Sequence, residues 1–252
     1  MNPIVVIPAR MGSTRLPGKP LADIGGVPMI VRVWREAVRA DVGPVVVAAA
    51  EKKIARAIED AGGKAVLTEP ELSSGTDRVH AALQQIDAQE TYDAVINMQG
   101  DIPIFEPAIL QSVVNVLCSA GTDMATLANE LEGSDVEKPN AVKVVVAWRT
   151  DKPDRGRALY FSRNPVPSGD GPYFHHIGIY SYTRPALTHF VSLPPSVLEK
   201  REKLEQLRAL ESGMTIAVAR VKGTPMSVDT PEDLAEARER VRRAADSRSI
   251  QA

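Results

Sequence analysis

The chain has 252 residues, of which 44% are hydrophobic and 25% are charged, and its formal net charge is -2. A chain of this length and composition can bury a globular core, and its nearly balanced charge argues against a large nucleic-acid-binding surface. The single cysteine, Cys118, excludes an intramolecular disulfide and a zinc site built from cysteines.

Nothing in the sequence points to a membrane. No hydrophobic run reaches the roughly 18 residues that a membrane-spanning helix needs. The N-terminal segment has the pattern of a β-strand and not that of a signal peptide. We therefore expect a cytoplasmic protein that binds neither membranes nor nucleic acids. Cys118 lies in a hydrophobic helical pattern, which predicts a buried thiol.

The first half of the chain alternates between strand and helix patterns. Strands are predicted at 3–9, 43–50, 64–68 and 92–99. Helices are predicted at 28–40, 51–63, 75–87 and 106–117. This alternation is typical of βαβ units, and it predicts an α/β fold with a mostly parallel sheet flanked by helices.

The pattern changes after about residue 121. Strands are predicted at 123–129, 141–148 and 175–183, and the segment 163–175 is predicted to be flexible. A helix at 200–213, a strand at 215–221 and a helix at 229–245 follow. In the last helix, Thr230 and Asp233 have capping-box spacing. The central strands predict a mixed-sheet extension or a dimerisation arm.

The segment PARMGSTRLPGKPL directly follows the first predicted strand. A loop in this position lies at the carboxyl edge of a parallel sheet, where open α/β folds bind ligands. Gly12 and Gly18 permit close backbone approach, and Arg10, Arg15 and Lys19 add three positive charges. The loop is therefore a candidate polyphosphate site, although a solvated basic loop is the alternative. The P-loop and dinucleotide-binding spacings are both absent.

Two aspartates are candidate metal ligands. Asp101 follows the predicted strand at 92–99, and Asp229 precedes the last helix. Mg²⁺ typically takes one or two carboxylates together with phosphate oxygens. The alternative is that each aspartate is an ordinary turn or cap residue.

Eight segments, in this order and spacing, resemble the sugar nucleotidyltransferases and in particular the 3-deoxy-manno-octulosonate (Kdo) cytidylyltransferase family. They are PARMGSTRLPGKPL, SSGTDRV, NMQGDIP, PNAVKVV, ALYFSRNPVP, HHIGIYSYTR, LEKREKLEQLRALESG and VDTPEDL. The resemblance extends from about Ile4 to Arg242. It implies a Rossmann-like nucleotidyltransferase that transfers a cytidylyl group from CTP to Kdo, giving CMP-Kdo and pyrophosphate for lipopolysaccharide synthesis.

The resemblance also implies a domain organisation and an assembly. We predict a single nucleotidyltransferase domain at 1–245, with a flexible tail at 246–252. Its nucleotide-binding core is expected at about 1–120 and 210–245. A smaller mixed-sheet subdomain at about 121–209 is expected to bind the sugar and to form a homodimer.

The resemblance assigns roles to individual residues. The candidate catalytic residues are Arg10 and Lys19, which would neutralise phosphates, and Asp101 and Asp229, which would bind the cofactor Mg²⁺. The candidate nucleotide-binding residues are Ala9, Arg10, Ser13, Arg15, Lys19, Ser74, Gly75, Arg78 and Gln99. The candidate sugar-binding residues are Arg78, Gln99, Arg163, His176, Tyr180, Glu205 and Gln206. For His176, Tyr180, Glu205 and Gln206, core packing or a solvated helix face is the alternative.

The sequence departs from the family pattern at five positions. Ile102 replaces an acidic residue, Ala49 and Ala50 replace polar ones, and Gly12 stands where alanine is common. Val197 replaces a proline, which is expected to loosen a loop near the sugar site. None of these is a candidate metal or phosphate ligand, so the departures bear on sugar specificity and rate. Two alternatives therefore remain. One is a cytidylyltransferase for another acid sugar, such as 8-amino-Kdo or a nonulosonate, and the other is a noncatalytic nucleotide-binding relative.

Overall fold

The computed structural model describes residues 1–13, 15–131 and 133–249. The chain forms two compact units, each assembled from separate segments. The first unit contains Met1–Pro3, Glu90–Asn97 and Ala108–Thr224, and the second contains Ile4–Gln89, Met98–Pro107 and the chain from Pro225 onward.

The described residues contain the following strands and helices. The strands are β1 (Pro3–Ala9), β2 (Val45–Ala49), β3 (Lys64–Leu67), β4 (Ala94–Asn97), β5 (Met124–Leu131), β6 (Lys143–Trp148), β7 (Arg155–Ser162), β8 (Tyr173–Thr183) and β9 (Ile216–Arg220). The α-helices are α1 (Met29–Arg39), α2 (Lys52–Asp60), α3 (Gly75–Ile86), α4 (Ala108–Ala120), α5 (Arg184–Ser192), α6 (Val197–Glu202), α7 (Leu207–Glu211) and α8 (Pro231–Ser249). Short 3-10 helices lie at Lys19–Leu21 and Gly133–Glu137.

In the second unit, β1, β2 and β3 are paired in parallel, in the order β3-β2-β1. The first two strands are nearly continuous runs of valine, isoleucine and alanine, and they are buried along most of their length. Helices cover such strands, as the buried residues Ile30 and Val33 of α1 and Ile54 and Ile58 of α2 show. The alternating pattern of the N-terminal sequence therefore predicted this part correctly.

The first unit contains a mixed sheet in the order β4-β8-β5-β9-β7-β6. The pair β5–β9 is parallel, whereas β4–β8, β5–β8, β7–β9 and β6–β7 are antiparallel. Helix α4 packs against β5, β8 and β9, and it buries Leu110, Val113 and Leu117. The predicted limits of the nucleotide-binding core, at about 120 and 210, differ from the limits of the two units, because α4 and β9 pack within the first unit.

The α/β class is confirmed, but the prediction of a mostly parallel sheet holds only in the second unit. Among the described residues between β5 and β8 no α-helix carries the chain back across the sheet, as a parallel connection would require, and the pairs β5–β8 and β6–β7 are antiparallel. Strand β7 was not predicted, because its first residues, Arg155, Gly156 and Arg157, lack a hydrophobic pattern. Helix α5 was not predicted either.

Three local predictions were wrong. The helix predicted at 200–213 is divided into α6 and α7, because Lys203 adopts a left-handed conformation with φ 55. Val197 is the first residue of α6 and not part of a loop, since Ser196 and Glu199 form a capping box there. The thiol of Cys118 is exposed, because it shares one face of α4 with the polar residues Gln111 and Asn115.

The C-terminal helix extends further than predicted. Residues 246–249 of the predicted flexible tail belong to α8, and the rest of that tail lies outside the described residues. The capping pair is confirmed, because the amide of Thr230 donates to Asp233 and the amide of Asp233 donates to the hydroxyl of Thr230. No helix in the described part of the chain is both long and apolar enough to cross a membrane.

Candidate functional site

The opening loop leaves the end of β1 and turns back at Lys19. Gly18 has a left-handed φ of 73, which glycine adopts without strain, and the 3-10 helix that starts at Lys19 follows it directly. The hydroxyl of Ser13 accepts a hydrogen bond from the amide of Leu16. Leu16 then anchors the loop in a hydrophobic cluster with Met226 and Val228. The loop is therefore held at a defined position beside the chain that leads to Asp229.

The ammonium of Lys19 joins the two candidate metal ligands. Its Nζ lies 2.7 Å from Oδ2 of Asp101 and 2.9 Å from Oδ1 of Asp229. The two carboxylates are therefore close to each other, although 128 residues separate them in the sequence numbering. Arg15 adds a contact of 3.2 Å to the same oxygen of Asp229. Burial acts to lower the pKa of Lys19, but the two aspartates outweigh it and the pKa is raised.

A short antiparallel contact explains why the aspartates meet. The amide of Val228 donates to the carbonyl of Asp101 at 2.9 Å, and the amide of Met226 donates to the carbonyl of Ile104 at 2.9 Å. Ile104 and Met226 form an isolated β-bridge. The residue after Val228 is Asp229, so this pairing places its side chain beside Asp101. A sequence pattern cannot show such a contact, because it is not local.

The segment that carries Asp101 packs closely on β1. The amide of Met98 donates to the carbonyl of Val6 at 3.1 Å. A Cβ atom on Gly100 would lie only 2.8 Å from the carbonyl oxygen of Pro8. Glycine is therefore required at this point of the QGD segment, because any side chain would push Asp101 away from the opening loop.

Helix α3 supplies the opposite wall of the site. Ser74 and Asp77 form a capping box at its start. The guanidinium of Arg78 is buried and donates to the hydroxyl of Thr68 and to the carbonyls of Glu69 and Pro70. Burial, and then the charge of Arg10, lowers the pKa of Arg78. These contacts give Arg78 a structural role, which the sequence did not predict.

These elements enclose an open cleft of about 440 Å³ in the second unit. All nine candidate nucleotide-binding residues line it, and so do Asp101 and Asp229. Gly12, which the sequence indicated for close backbone approach, also lines the cleft, together with four small or apolar residues that were not predicted: Pro8, Pro20, Leu72 and Gly100. Their position in the motifs, or directly before one in the case of Leu72, is the one signal that could have indicated them, because none carries a group typical of catalysis.

The other five candidate sugar-binding residues belong to the first unit. His176 is buried, its Nε2 lies 3.1 Å from the hydroxyl of Thr126, and burial lowers its pKa to about 3. The ring of Tyr180 lies 5.4 Å from that of His176 between centroids. Burial raises the pKa of Tyr180, and the nearby charges of Tyr182 and Glu205 raise it further. His176, Tyr180 and Glu205 therefore form one cluster.

Gln206 and Arg163 differ from each other in their contacts. Gln206 is 5% exposed, and its Nε2 has no hydrogen-bond partner among the described residues. Arg163, in contrast, donates from its guanidinium to the carbonyls of Glu202, Pro139 and Lys203. Arg163 thus fixes the link between α6 and α7, which carries Glu205 and Gln206, whereas the resemblance implied direct sugar binding.

Comparison with known proteins identifies the family. The family model described as cytidylyltransferase matches residues 4–216. A 3-deoxy-manno-octulosonate cytidylyltransferase of Parvibaculum lavamentivorans is 55% identical over 94% of this chain and 92% of its own. The enzyme of the same name from Rhodospirillum rubrum is 56% identical over 94% of each chain.

Solved structures agree with this result. A CMP:2-keto-3-deoxy-manno-octonic acid synthetase, determined in complex with CTP, superposes with a TM-score of 0.88 at 36% identity. It covers 97% of this chain and 100% of its own. A 4-diphosphocytidyl-2C-methyl-D-erythritol synthase of Anaerococcus prevotii, with a TM-score of 0.61 at 10% identity over 96% of this chain and 98% of its own, shares the fold alone. The chain belongs to the cytidylyltransferase family and, within it, to the 3-deoxy-manno-octulosonate cytidylyltransferases.

Proposed function

We propose that the chain transfers the cytidylyl group of CTP to Kdo, forming CMP-Kdo and pyrophosphate. The observation that carries this proposal is the contact of Lys19 with both Asp101 and Asp229, in a cleft that all nine candidate nucleotide-binding residues line. The relatives named for this reaction match almost the whole chain, which supports the same assignment.

The reaction joins an oxygen to phosphorus and releases another oxygen. The anomeric hydroxyl of Kdo attacks the α-phosphorus of CTP, its proton is lost, and the bond from the α-phosphorus to the pyrophosphate oxygen breaks. Chemistry of this kind depends on alignment and on charge neutralisation more than on a covalent nucleophile. Arg10, Arg15 and Lys19 supply three positive charges at the cleft for the triphosphate.

Asp101 and Asp229 are the residues that would bind Mg²⁺. Two carboxylates with oxygens close to one cation, the Lys19 ammonium, match the hard donor set that Mg²⁺ prefers. The described residues contain no group of three or more histidine, cysteine, aspartate or glutamate side chains arranged for a metal. Phosphate and water oxygens would have to complete the ligand set, as is usual for Mg²⁺. When bound, Mg²⁺ neutralises phosphate charge and makes a nearby hydroxyl more acidic.

The cytosine must be recognised by hydrogen-bond acceptors, because its exocyclic amino group is a donor. Ala9, Ser74 and Gly75 line the cleft, and backbone carbonyls of this part of the chain are the acceptors that we propose for the amino group. For the sugar, the buried Nε2 of Gln206, which has no hydrogen-bond partner among the described residues, is a donor suited to a hydroxyl. Its neighbour in the sequence, Glu205, belongs to the cluster with Tyr180. The homodimer implied by the resemblance remains a prediction.

A pyrophosphate-release assay tests this function. ATP, GTP, UTP and CTP are each incubated with Kdo and Mg²⁺, with a control that lacks the sugar. We expect rapid release only with CTP and Kdo, and mass spectrometry should show CMP-Kdo. Release only with CTP and 8-amino-Kdo or a nonulosonate would replace the proposed sugar. Absence of release with every acid sugar would favour a noncatalytic nucleotide-binding protein.

A further inference from the structure

A carboxylate that does not line the cleft contacts the opening loop. Both oxygens of Glu51 lie 3.1 Å from the backbone nitrogen of Met11, whose amide donates to them. Met11 directly follows Arg10, which lines the cleft. Neither Glu51 nor Met11 is among the described residues that line it. Glu51 therefore contacts the loop and not the space in which a nucleotide would bind.

The parallel pairing of β1 and β2 fixes this contact. Ala9 is paired with Ala49 in register, and the amide of Ala50 donates to the carbonyl of Ala9 at 2.9 Å. The chains beyond these residues consequently run side by side, which brings Glu51 next to Met11. Since Ala49 and Ala50 have short, buried side chains, Glu51 supplies the first polar side chain after β2.

The side chain of Glu51 does not serve its own helix. Glu51 is the N-cap residue of α2, a position whose side chain commonly accepts a hydrogen bond from the first turn. No such bond from the Glu51 side chain is present. The carboxylate is directed to Met11 instead, and it is close enough to Arg78 to oppose the lowering of that residue's pKa by burial and by Arg10.

We propose that Glu51 is a positioning residue for the polyphosphate loop. By accepting the amide of Met11, it holds Arg10 and the adjacent backbone in the conformation that receives the phosphates of CTP. This inference rests on the proposed function. Glu51 has two opposing effects on nucleotide binding. Its hydrogen bond to Met11 favours binding, because it orders the loop. Its negative charge opposes binding, because it attracts the arginine side chains that the phosphates would otherwise attract.

Three substitutions separate the reach of the side chain from its charge. Glu51→Ala removes both, Glu51→Asp keeps the charge but is too short for the contact, and Glu51→Gln keeps an oxygen acceptor without the charge. The matched control is Glu59→Ala, which removes an exposed carboxylate from the same helix. Steady-state kinetics with saturating Kdo give the KM for CTP and kcat for each protein.

We expect Glu51→Ala and Glu51→Asp to raise the KM for CTP about tenfold, which is the scale of one lost hydrogen bond to a charged group. Their kcat should change by less than about threefold, because Glu51 does not touch reacting atoms. Glu51→Gln should have a KM no higher than that of the unaltered protein, and Glu59→Ala should match it. In hydrogen exchange, the amide of Met11 should lose protection in the Ala and Asp variants only.

The outcomes distinguish failure of the proposed function from failure of the role proposed for Glu51. If the unaltered protein does not turn over CTP, the proposed function fails and this inference fails with it. If the unaltered protein is active and Glu51→Ala or Glu51→Asp keeps its KM, the inference alone is overturned. It is also overturned if Glu51→Gln is as impaired as these two. If Glu51→Ala does not fold, the KM values of Glu51→Asp and Glu51→Gln test the proposal by themselves, because only the Asp variant should have a raised KM for CTP.

Discussion

The ammonium of Lys19 donates to Oδ2 of Asp101 at 2.7 Å and so joins the opening loop to a carboxylate 82 residues later. The same nitrogen donates to Asp229 at 2.9 Å. The lysine is only 14% exposed, so water screens its charge less than that of a lysine on the surface. Because its pKa is raised above the ordinary 10.5, Lys19 stays charged throughout the neutral range. One cation of the protein thus lies between the two carboxylates proposed to bind Mg²⁺.

This arrangement predicts that Lys19 and a divalent cation compete for the carboxylates. In Lys19→Met, Asp101 and Asp229 lose their shared cation and repel each other, so the melting temperature should fall. Without nucleotide, Mg²⁺ should then raise the melting temperature of the variant more than that of the unaltered protein. Isothermal titration calorimetry should show Mg²⁺ binding at least about tenfold tighter, equal to about 1.4 kcal/mol.

Lys52→Met is the matched control for this competition, because Lys52 is exposed at the start of α2. Its response to Mg²⁺ should equal that of the unaltered protein. Equal Mg²⁺ affinity in Lys19→Met and Lys52→Met would show that the two aspartates do not form a cation site.

The buried His176 predicts a loss of stability in acid. Its pKa is about 3 in the folded protein and 6.5 in the unfolded chain, so the unfolded chain takes up the proton first as the pH falls. The stabilisation is therefore present above pH 6.5 and is lost progressively toward pH 3. Between pH 7 and pH 4.5 we expect this group to cost about 2 kcal/mol of unfolding free energy.

Urea unfolding at both pH values measures this loss, and His176→Gln should reduce it. His175, whose pKa burial and Lys143 also lower, contributes in the same direction and is left intact. An identical acid dependence in His176→Gln would mean that the imidazole of His176 takes up its proton as readily in the folded protein as in the unfolded chain.

Removing only one partner of the ion pair between Arg208 and Glu199 should lower the free energy of unfolding. Two guanidinium nitrogens lie 2.8 and 2.6 Å from the two carboxylate oxygens, and the side chains are 10% and 14% exposed. Arg208→Met leaves a poorly hydrated carboxylate, which should cost about 3 kcal/mol in urea unfolding. The double variant Arg208→Met/Glu199→Met should be more stable than Arg208→Met alone. If the two substitutions are additive, the pair is not coupled.

Substitution of Arg163 should weaken the binding of the sugar and leave the binding of the nucleotide unchanged. Its guanidinium spans three backbone carbonyls around the α6–α7 link, which the single ammonium of lysine cannot do. We expect Arg163→Lys to raise the KM for Kdo about tenfold and to leave the KM for CTP within about twofold. Arg157→Lys, a change at an exposed position of β7, is the control. Equal increases in both KM values would indicate general damage to the fold.

The sequence predicted the strands and helices of the second unit well. There, β1, β2 and β3 are buried, regular strands separated by amphipathic helices, and each pattern is local. Ser74, Gly75 and Gln99 could be assigned to the cleft because the motifs that contain them resemble those of a known family. Lys19 and Asp101 lie together because both follow buried segments that run beside each other in the second unit.

The remaining features depend on contacts that no short pattern contains. The meeting of Asp101 and Asp229 requires the bridge between Ile104 and Met226. The buried guanidinium of Arg78 donates to backbone carbonyls, whereas the resemblance implied that it binds the nucleotide and the sugar. Strand β7 is stabilised by its neighbours β6 and β9 more than by its own composition.

The most direct test of the account is the activity of Asp101→Asn and Asp229→Asn with CTP, Kdo and Mg²⁺. Both changes preserve the size of the side chain and remove one charge. We predict that each lowers kcat by at least about a hundredfold, the scale expected when a group that stabilises developing charge is lost, while circular dichroism stays unchanged. Undiminished pyrophosphate release by either variant would contradict the claim that Lys19, Asp101 and Asp229 together form the catalytic centre.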